Sequence, residues 1–343
     1  MRLSPTGSRS KVSGRRTRRG LTVNIRTVDY HTGGEPFRIV TGGVEPLRGA
    51  TILDKRRDAL GRLDHVRRLL VNEPRGHADM YGCHVVPPND DGADLGVVFF
   101  HNAGYSTACG HGTIALVTWA LEEGVVECRE GENRVVVDVP SGRLETVATV
   151  ESGRVCSVTF RNVPSFVWAT DLRVGNITVD VAFGGAFYAS LPERVEPAEL
   201  PRLIELGRQI KRGLEAQYEI VHPLEPELRD VYGVIFWQQE GELPLTQRNV
   251  TVFADGEVDR SPCGSGTSAR LALLEASGRL SRGEELHHLS IVGSAFTGRV
   301  VAGVDLAGLS AVVTEVTGSA YRTGEASFDL DPDDPLGEGF LLR

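Results

Sequence analysis

Two cysteines in the sequence share a short local context that suits acid–base chemistry. Cys109 opens the run CGHGT and Cys263 opens the run CGSGT, and each run leads into a stretch with helical periodicity. A cysteine at a helix N-terminus faces unpaired backbone N–H groups and the positive end of the helix dipole. This setting favours the thiolate, so we expect the pKa of both thiols to be lowered toward neutral pH.

The glycines beside these cysteines would let a ligand approach the backbone. Gly110, Gly112, Gly264 and Gly266 carry no side chain, and N–H groups at a helix start bind small anions. If the two helix starts face each other, a carboxylate held between them has a sulfur atom on each side of its α-carbon. One thiolate can then remove the α-proton while the opposite thiol returns one, an inversion that needs neither a metal nor a pyridoxal cofactor.

The other three cysteines lack this local context, and chemistry other than acid–base catalysis fits the pair less well. Cys83, Cys128 and Cys156 lie in strand-like or irregular contexts, where we expect cysteine to be a small buried apolar residue. A redox pair or half of a zinc site stays an alternative for the pair, although the ligand spacing of zinc sites is absent. Residues 264–269 (GSGTSA) match a loose dinucleotide-binding fingerprint, but no acidic residue closes a following strand about 20 residues later.

An internal repeat predicts the elements that position the two cysteines. A shift of 154 residues places 97–124 over 251–278 without a gap, and eight of the 28 positions are identical. Each copy has an apolar strand, the Cys-Gly-X-Gly-Thr run, and a helical stretch closed by Gly124 or Gly278, of the kind that ends helices. We therefore predict two related halves, each presenting one cysteine at the start of a helix.

The rest of the chain contains many short strand patterns and few helical patterns. Helices are predicted over four ranges, 58–70, 113–123, 197–218 and 267–277. Because the strands and helices do not strictly alternate, the predicted fold class is α+β. The predicted divisions are a basic leader over 1–20, an N-terminal half over 21–158, a C-terminal half over 159–329 and a final segment over 330–343 that returns to the first half.

Composition narrows the class of protein. The chain has 343 residues, is 41% hydrophobic and has five cysteines without a CxxC pair. These values favour a globular protein of two domains or one large one, in a reducing compartment such as the cytoplasm. No run approaches the roughly 18 consecutive apolar residues that a membrane helix needs, so we expect no membrane partner.

The charge is unevenly distributed along the chain. The net charge is −9, although the first 20 residues carry seven Arg or Lys and no acidic residue. The remainder is therefore strongly acidic, which makes it a poor partner for nucleic acid. The basic segment lacks the apolar stretch of a secretory signal, so we expect a disordered leader. The expected partner is a small molecule, and assembly into a homodimer is left open.

Six motifs stand in order along the chain, at 29–36 (DYHTGGEP), 73–82 (EPRGHADMYG), 108–113 (ACGHGT), 181–187 (VAFGGAF), 259–267 (DRSPCGSGT) and 333–340 (DDPLGEGF). Together they resemble the proline racemase family, which includes hydroxyproline epimerases and trans-3-hydroxy-L-proline dehydratases. The resemblance covers residues 24–343. It implies a fold like that of diaminopimelate epimerase, with two pseudo-symmetric α/β halves and the active site in the cleft between them.

The resemblance also implies roles for particular residues. Cys109 and Cys263 would be the two acid/base residues, and no cofactor would be needed. The backbone amides of Gly110, His111, Gly264 and Ser265 would hold the carboxylate of the substrate. Asp259 would pair with the ring nitrogen of the substrate. Tyr81 and Phe253 would line the pocket. Three residues of the shared motifs, His31, Glu35 and His77, receive no role.

Two reactions of the family remain open. The amino-acid sequence of 79–82, 184–188 and 338–342 resembles that of the 3-hydroxyproline dehydratases, which typically have Thr where this chain has Cys263. A dehydratase needs one base, Cys109, whereas inversion also needs an acid on the opposite face, so we expect a racemase or epimerase first and a dehydratase as the alternative. The Tyr81 hydroxyl favours hydroxyproline over proline without selecting an isomer. A third interpretation is an amino-acid-binding protein without catalysis.

Overall fold

A computed structural model describes residues 24–342, so the leader predicted over 1–20 lies outside the described residues. The described chain forms a mixed sheet of 17 strands, five α-helices and a short 3-10 helix, Pro197–Glu199. The strands are β1 (Asn24–Thr32), β2 (Glu35–Gly42), β3 (Tyr81–Val86), β4 (Leu95–His101), β5 (Gly131–Val139), β6 (Gly142–Glu151), β7 (Arg154–Arg161), β8 (Phe166–Val174), β9 (Ile177–Phe183), β10 (Phe187–Pro192), β11 (Val231–Glu242), β12 (Leu245–Phe253), β13 (Glu257–Asp259), β14 (Glu285–Ser290), β15 (Ala295–Leu306), β16 (Leu309–Gly318) and β17 (Ala320–Asp329). The helices are α1 (Ile52–Arg62), α2 (Asp64–Val71), α3 (Gly110–Glu122), α4 (Leu200–Gln217) and α5 (Gly264–Ala276).

The 17-stranded sheet contains two groups of eight strands with the same sequence of pair types, and the short strand β13 pairs with β12 outside both groups. The first strand group runs β17–β1–β2–β3–β4–β5–β6–β7, and its parallel pairs are β2–β3 and β4–β5. The second strand group runs β8–β9–β10–β11–β12–β14–β15–β16, and its parallel pairs are β10–β11 and β12–β14. Strands β7 and β16 pair and so join the two groups. The repeat found over 28 residues of sequence therefore extends to the topology of the sheet.

The last strand and the segment after it lie with the first strand group. Strand β17 pairs with β1, although the predicted boundary at 329 assigns it to the C-terminal half. Beyond it, Phe340 forms a bridge with Glu73, and Arg68 of α2 forms an ion pair with Glu338. The exact division of the chain into two halves stays a prediction.

Each strand group wraps around one buried helix. Helix α3 packs against β7, β17, β1 and β2, and α5 packs against β15, β16, β8 and β9. Both helices are buried on every side along most of their length, which fits their lack of a polar face. Gly124 and Gly278 have φ of 68° and 69°, as expected for the left-handed residue that ends a helix.

The helix boundaries differ from the predicted ones in several places. Helix α1 begins at Ile52, six residues before the predicted start at 58, and the helix predicted over 197–218 is the short 3-10 helix followed by α4. Helices α3 and α5 begin at Gly110 and Gly264, three residues before the predicted starts, because the glycines of each run form the first helical turn. The helix predicted over 58–70 is two helices, α1 and α2, which are separated where Leu63 leaves helical geometry. The predicted α+β class is confirmed by a mixed sheet with few helices. Among the helices of the described chain, none has the length and apolar character to cross a bilayer.

Candidate active site

The N-termini of α3 and α5 meet end to end. A Cβ atom added to Gly110 would lie 2.5 Å from the Cα of Gly264, and one added to Gly264 would lie 2.6 Å from the Cα of Gly110. Phe160 of β7 packs beneath both glycines. Because the first amides of each helix have no acceptor within the helix, this junction brings two sets of N–H donors to one place. The junction is therefore suited to bind a small carboxylate.

Cys109 is the N-cap residue of α3. Its Sγ accepts a hydrogen bond from the Gly112 N–H at 3.2 Å, and both ring nitrogens of His111 lie 3.5 Å from the sulfur. The Thr113 hydroxyl donates to the Cys109 carbonyl at 2.9 Å, which fixes the backbone of the helix start. The thiol is therefore held by an amide and an imidazole.

Cys263 is the N-cap residue of α5, and its backbone is held in the same way. The Thr267 hydroxyl donates to the Cys263 carbonyl at 2.8 Å, the counterpart of the Thr113 bond. The surroundings of the sulfur differ, because the thiol donates to the Tyr188 hydroxyl at 3.8 Å, and that hydroxyl lies 2.7 Å from the Ser265 hydroxyl. Cys263 also has φ of 62°, a conformation that costs energy for residues other than glycine and is concentrated at functional sites.

The expected lowering of the thiol pKa values is wrong for the protein without ligand. Burial raises the pKa of Cys109 well above the ordinary value, and the Gly112 N–H offsets only part of this effect. Burial also raises the pKa of Cys263, with a further contribution from the Asp259 carboxylate. Burial lowers the pKa of His111 to about 3, so its imidazole is neutral. The helix starts do not by themselves generate thiolates here.

Asp259, at the end of β13, places a carboxylate next to the helix junction. Its Oδ1 accepts from the Ser261 N–H at 2.8 Å, and its Oδ2 lies 4.0 Å from Nδ1 of His111. Burial raises the pKa of Asp259 to about 6. At neutral pH the site therefore contains a buried carboxylate, which favours a cationic ligand group.

A second buried carboxylate, Glu35, lies behind Asp259. Its Oε2 accepts from the Arg260 N–H at 2.7 Å and forms an ion pair with the Arg260 guanidinium at 2.9 Å. Its Oε1 is buried without a hydrogen-bond partner among the described residues. Burial, followed by the Asp259 charge, raises the pKa of Glu35. Glu35 follows the turn between β1 and β2. In that turn, Gly33 packs against Ser261, which lies two residues before Cys263.

Aromatic side chains form a wall beside the thiols. The Tyr81 hydroxyl bonds to the Ser106 hydroxyl and lies 2.9 Å from the Tyr232 hydroxyl, and Phe253 stacks on Tyr232 with ring centroids 5.5 Å apart. Tyr81 also packs edge-on against the ring of His111, at 4.9 Å. Tyr232 is also one of the residues that line two cavities of about 430 and 300 Å³. The wall combines apolar surface with phenolic hydroxyls.

The structure brings the predicted site residues together at the junction. These are Cys109, Gly110, His111, Cys263, Gly264, Ser265, Asp259, Tyr81 and Phe253, and their functional roles remain predictions. Of the motif residues without a role, Glu35 lies at the site, His31 stacks on Tyr321, and His77 is exposed. Tyr188 and Arg260 were missed, because nothing in their local sequence indicates that they contact residues so far away in the chain.

The remaining cysteines only partly match their expectation. Cys83 is buried in β3 as a small apolar residue, but Cys128 and Cys156 are exposed, so their predicted burial is wrong. Cys156 lies on the outward face of β7, where strand alternation turns it to solvent. Among the described residues, no cluster of three or more His, Cys, Asp or Glu side chains is arranged to hold a metal ion.

Comparison with known proteins identifies close similarities. Residues 27–341 match the proline racemase family. The chain is 45% identical to a trans-3-hydroxy-L-proline dehydratase of Bacillus cereus, over 92% of this chain and 97% of that protein. It is 44% identical to a 3-hydroxyproline 2-epimerase of Burkholderia multivorans, over 93% and 98% respectively.

A solved structure is similar over nearly the whole length. A hydroxyproline epimerase from Agrobacterium vitis, with bound trans-4-hydroxy-L-proline, superposes with a TM-score of 0.88 at 33% identity, covering 94% of this chain and 96% of that one. This likeness confirms the predicted α+β fold with two similar halves around the site.

Proposed function

The chain belongs to the proline racemase family, and from that premise we propose that it is a cofactor-independent epimerase that inverts the α-carbon of a hydroxyproline or proline with Cys109 and Cys263. The observation that carries this proposal is the meeting of two helix N-termini, each capped by a buried cysteine. A dehydratase has no need of the second thiol. An inverting enzyme does, because the proton must return on the face opposite to the one it left.

The substrate would be held at both of its charged groups. Its carboxylate would lie at the junction of α3 and α5, against the free amides of Gly110, His111, Gly264 and Ser265. Its ring nitrogen would face Asp259, whose carboxylate keeps the nitrogen protonated. A cationic nitrogen withdraws electrons from the neighbouring α-carbon and makes the α-proton easier to remove. The aromatic wall, with Tyr81 and Phe253, would cover the ring.

Proton transfer would then pass straight across the α-carbon. One sulfur, as thiolate, takes the α-proton, and the opposite thiol gives its proton to the other face. For the other epimer the roles are exchanged. After each turnover the two sulfurs have exchanged protonation states, so the enzyme is ready for the reverse reaction.

The substrate itself supplies the charge that forms the thiolate. Burial keeps both thiols protonated in the free protein, because a charged sulfur is poorly solvated there. A cationic ring nitrogen beside a sulfur favours its charged form, so the thiol releases its proton to solvent as the substrate binds. This dependence on the substrate would protect the cysteines from reaction when the site is empty.

Dehydration of trans-3-hydroxy-L-proline is the second candidate, because a relative at 45% identity carries that name. Here Cys109 alone would remove the α-proton, the 3-hydroxyl would take up a proton and leave as water, and the resulting cyclic enamine would tautomerise to the cyclic imine. The name of the relative from Burkholderia multivorans directs attention to 3-hydroxyproline for the epimerase as well. The Tyr81 hydroxyl could meet the ring hydroxyl in either reaction.

Proton NMR in D₂O separates these candidates in one experiment. The purified protein is incubated with the L- and D-forms of proline, 3-hydroxyproline and 4-hydroxyproline, without added cofactor. We expect loss of the α-proton signal together with appearance of the C2 epimer for at least one hydroxyproline. Imine formation without the epimer would support the dehydratase instead. Binding by calorimetry without exchange or imine would identify a binding protein and contradict both enzymatic proposals.

A further inference from the structure

We propose that Tyr188 is a positioning residue that orients the proton of Cys263, and that it makes the two thiols of the site chemically unequal. This inference rests on the proposed two-thiol mechanism and adds a residue to it. It comes from a difference between the two helix starts that the repeat otherwise makes alike.

The repeat places His111 and Ser265 at equivalent positions, two residues after each cysteine. His111 is large enough to reach its own cysteine, with both ring nitrogens 3.5 Å from the sulfur of Cys109. Ser265 is too short to fill the same space. Tyr188 fills it instead from β10, with its hydroxyl 2.7 Å from the Ser265 hydroxyl and 3.8 Å from the sulfur of Cys263.

Because of its buried position, the Tyr188 hydroxyl has few alternative hydrogen-bond partners. The side chain is 1% exposed, and its ring packs edge-on against Tyr232 with centroids 5.9 Å apart. Burial raises the pKa of Tyr188, so the phenol keeps its proton and acts as a hydrogen-bonding group. Within this packing the hydroxyl bonds to the Cys263 thiol and the Ser265 hydroxyl.

This geometry gives Tyr188 a separate task in each protonation state of Cys263. When Cys263 is a thiol, its S–H donates to the Tyr188 oxygen, and the phenol proton turns to Ser265. When Cys263 is a thiolate, the phenol proton can turn to the sulfur and stabilise its charge. The proton that moves to or from the substrate is always that of Cys263, and Tyr188 neither gains nor loses one.

The test compares the alkylation rates of the two thiols in Tyr188→Phe. The variant and the wild-type protein react with iodoacetamide at alkaline pH, and peptide mass spectrometry follows Cys263 and Cys109 in the same sample. Loss of a donor to the thiolate should slow alkylation of Cys263 about three- to tenfold relative to Cys109. The kcat for inversion should fall while KM stays the same, because Tyr188 contacts the thiol and not the substrate.

Tyr30→Phe is the matched control. Tyr30 is equally buried, and its hydroxyl donates to Glu122 at 3.2 Å in the first strand group, at the opposite end of α3 from Cys109. It should leave the ratio of the two alkylation rates unchanged. Thermal unfolding of both variants shows whether either one has lost its fold.

An unchanged ratio of alkylation rates in a folded Tyr188→Phe protein would overturn the proposal. If that variant does not fold, Ser265→Ala takes its place, since it removes the competing partner of the phenol. Cys263 should then react faster relative to Cys109, and no change would count against Tyr188. The alkylation ratio needs no turnover, so it decides the role of Tyr188 even if no proline is inverted.

Discussion

The start of α3 and the start of α5 share a backbone but differ in the side chains around the sulfur. Each has a cysteine N-cap, a threonine hydroxyl that donates to the cysteine carbonyl, and a glycine pressed against the other helix. Around Cys109 the neighbouring side chain is an imidazole, whereas around Cys263 it is a phenol, with the Asp259 carboxylate also close to the thiol. In the proposed mechanism, the duplicated backbone supplies an acid and a base on opposite faces of the α-carbon, and the side chains that differ recognise the unsymmetrical substrate.

The two helix starts also differ in whether a carboxylate precedes the cysteine. Asp259 stands four residues before Cys263, and the equivalent position before Cys109 is Tyr105. A ring nitrogen lies on only one side of the α-carbon, so a single carboxylate is sufficient. Under the proposed mechanism, the two regions are alike where they act on the two faces of the α-carbon, and they differ where they bind unlike parts of the substrate.

Substitution of either cysteine should have the largest effect on activity and should separate the roles of the two helix starts. Cys109→Ser should reduce both inversion and any dehydration about a thousandfold, since both reactions need its base. Cys263→Thr should reduce inversion by a similar factor and leave dehydration of trans-3-hydroxy-L-proline largely intact. Rates are measured by chiral chromatography and by imine formation. Equal retention of inversion in both variants would show that the thiols are not the pair.

Asp259→Asn tests the carboxylate that only one region has. We expect kcat/KM to fall about a hundredfold at neutral pH through a higher KM, because a buried charge-assisted bond to the ring nitrogen is lost. In the wild-type protein, KM should rise as the pH falls through about 6, where Asp259 becomes neutral. That dependence should be absent from the variant, and its persistence would assign it to another group.

The same variant should be more stable than the wild-type protein at neutral pH. The pKa of Asp259 is raised from 3.8 to about 6 in the folded state, so the folded protein binds its proton more tightly between these values. Stability is therefore lost as the pH rises through that window, by up to about 3 kcal/mol. Chemical denaturation at neutral pH should show a gain from Asp259→Asn, and a loss would contradict the assigned shift.

The glycines at the helix junction test how similar the two regions are. Gly110→Ala and Gly264→Ala should each destabilise the protein by about 1–3 kcal/mol, because the added methyl group would press against the opposite backbone. Gly61→Ala is the control, since Gly61 lies in α1 with open space around it and should gain up to about 1 kcal/mol. Thermal unfolding measures all three, and a clear difference between the two junction variants would contradict the symmetry.

Sequence reasoning was most successful where the information is local or repeated. The Cys-Gly-X-Gly-Thr runs and the closing glycines Gly124 and Gly278 mark α3 and α5, so both helices could be predicted, although their starts were placed three residues too late. The repeated pattern also indicated two similar halves. The return of β17 to β1 could not be predicted, because partners far apart in the chain leave no mark on the local pattern.

The same limit applies to the site. Cys109, Cys263 and Asp259 stand in recognisable runs, but Tyr188 lies 75 residues from the thiol it contacts. The pKa values of the thiols were mispredicted because sequence reveals a helix start but not the depth of its burial. Burial exceeds the favourable effect of the helix N-terminus on both sulfurs.

The central claim is that the two sulfurs face opposite sides of one α-carbon. The most direct measurement is α-hydrogen exchange in D₂O by Cys109→Ala and Cys263→Ala, each with both C2 epimers of the substrate that the wild-type protein inverts. We predict that each variant exchanges the α-hydrogen of one epimer only, that the epimer differs between the two variants, and that neither inverts it. Exchange of the same epimer by both variants, or inversion by either, would contradict the account.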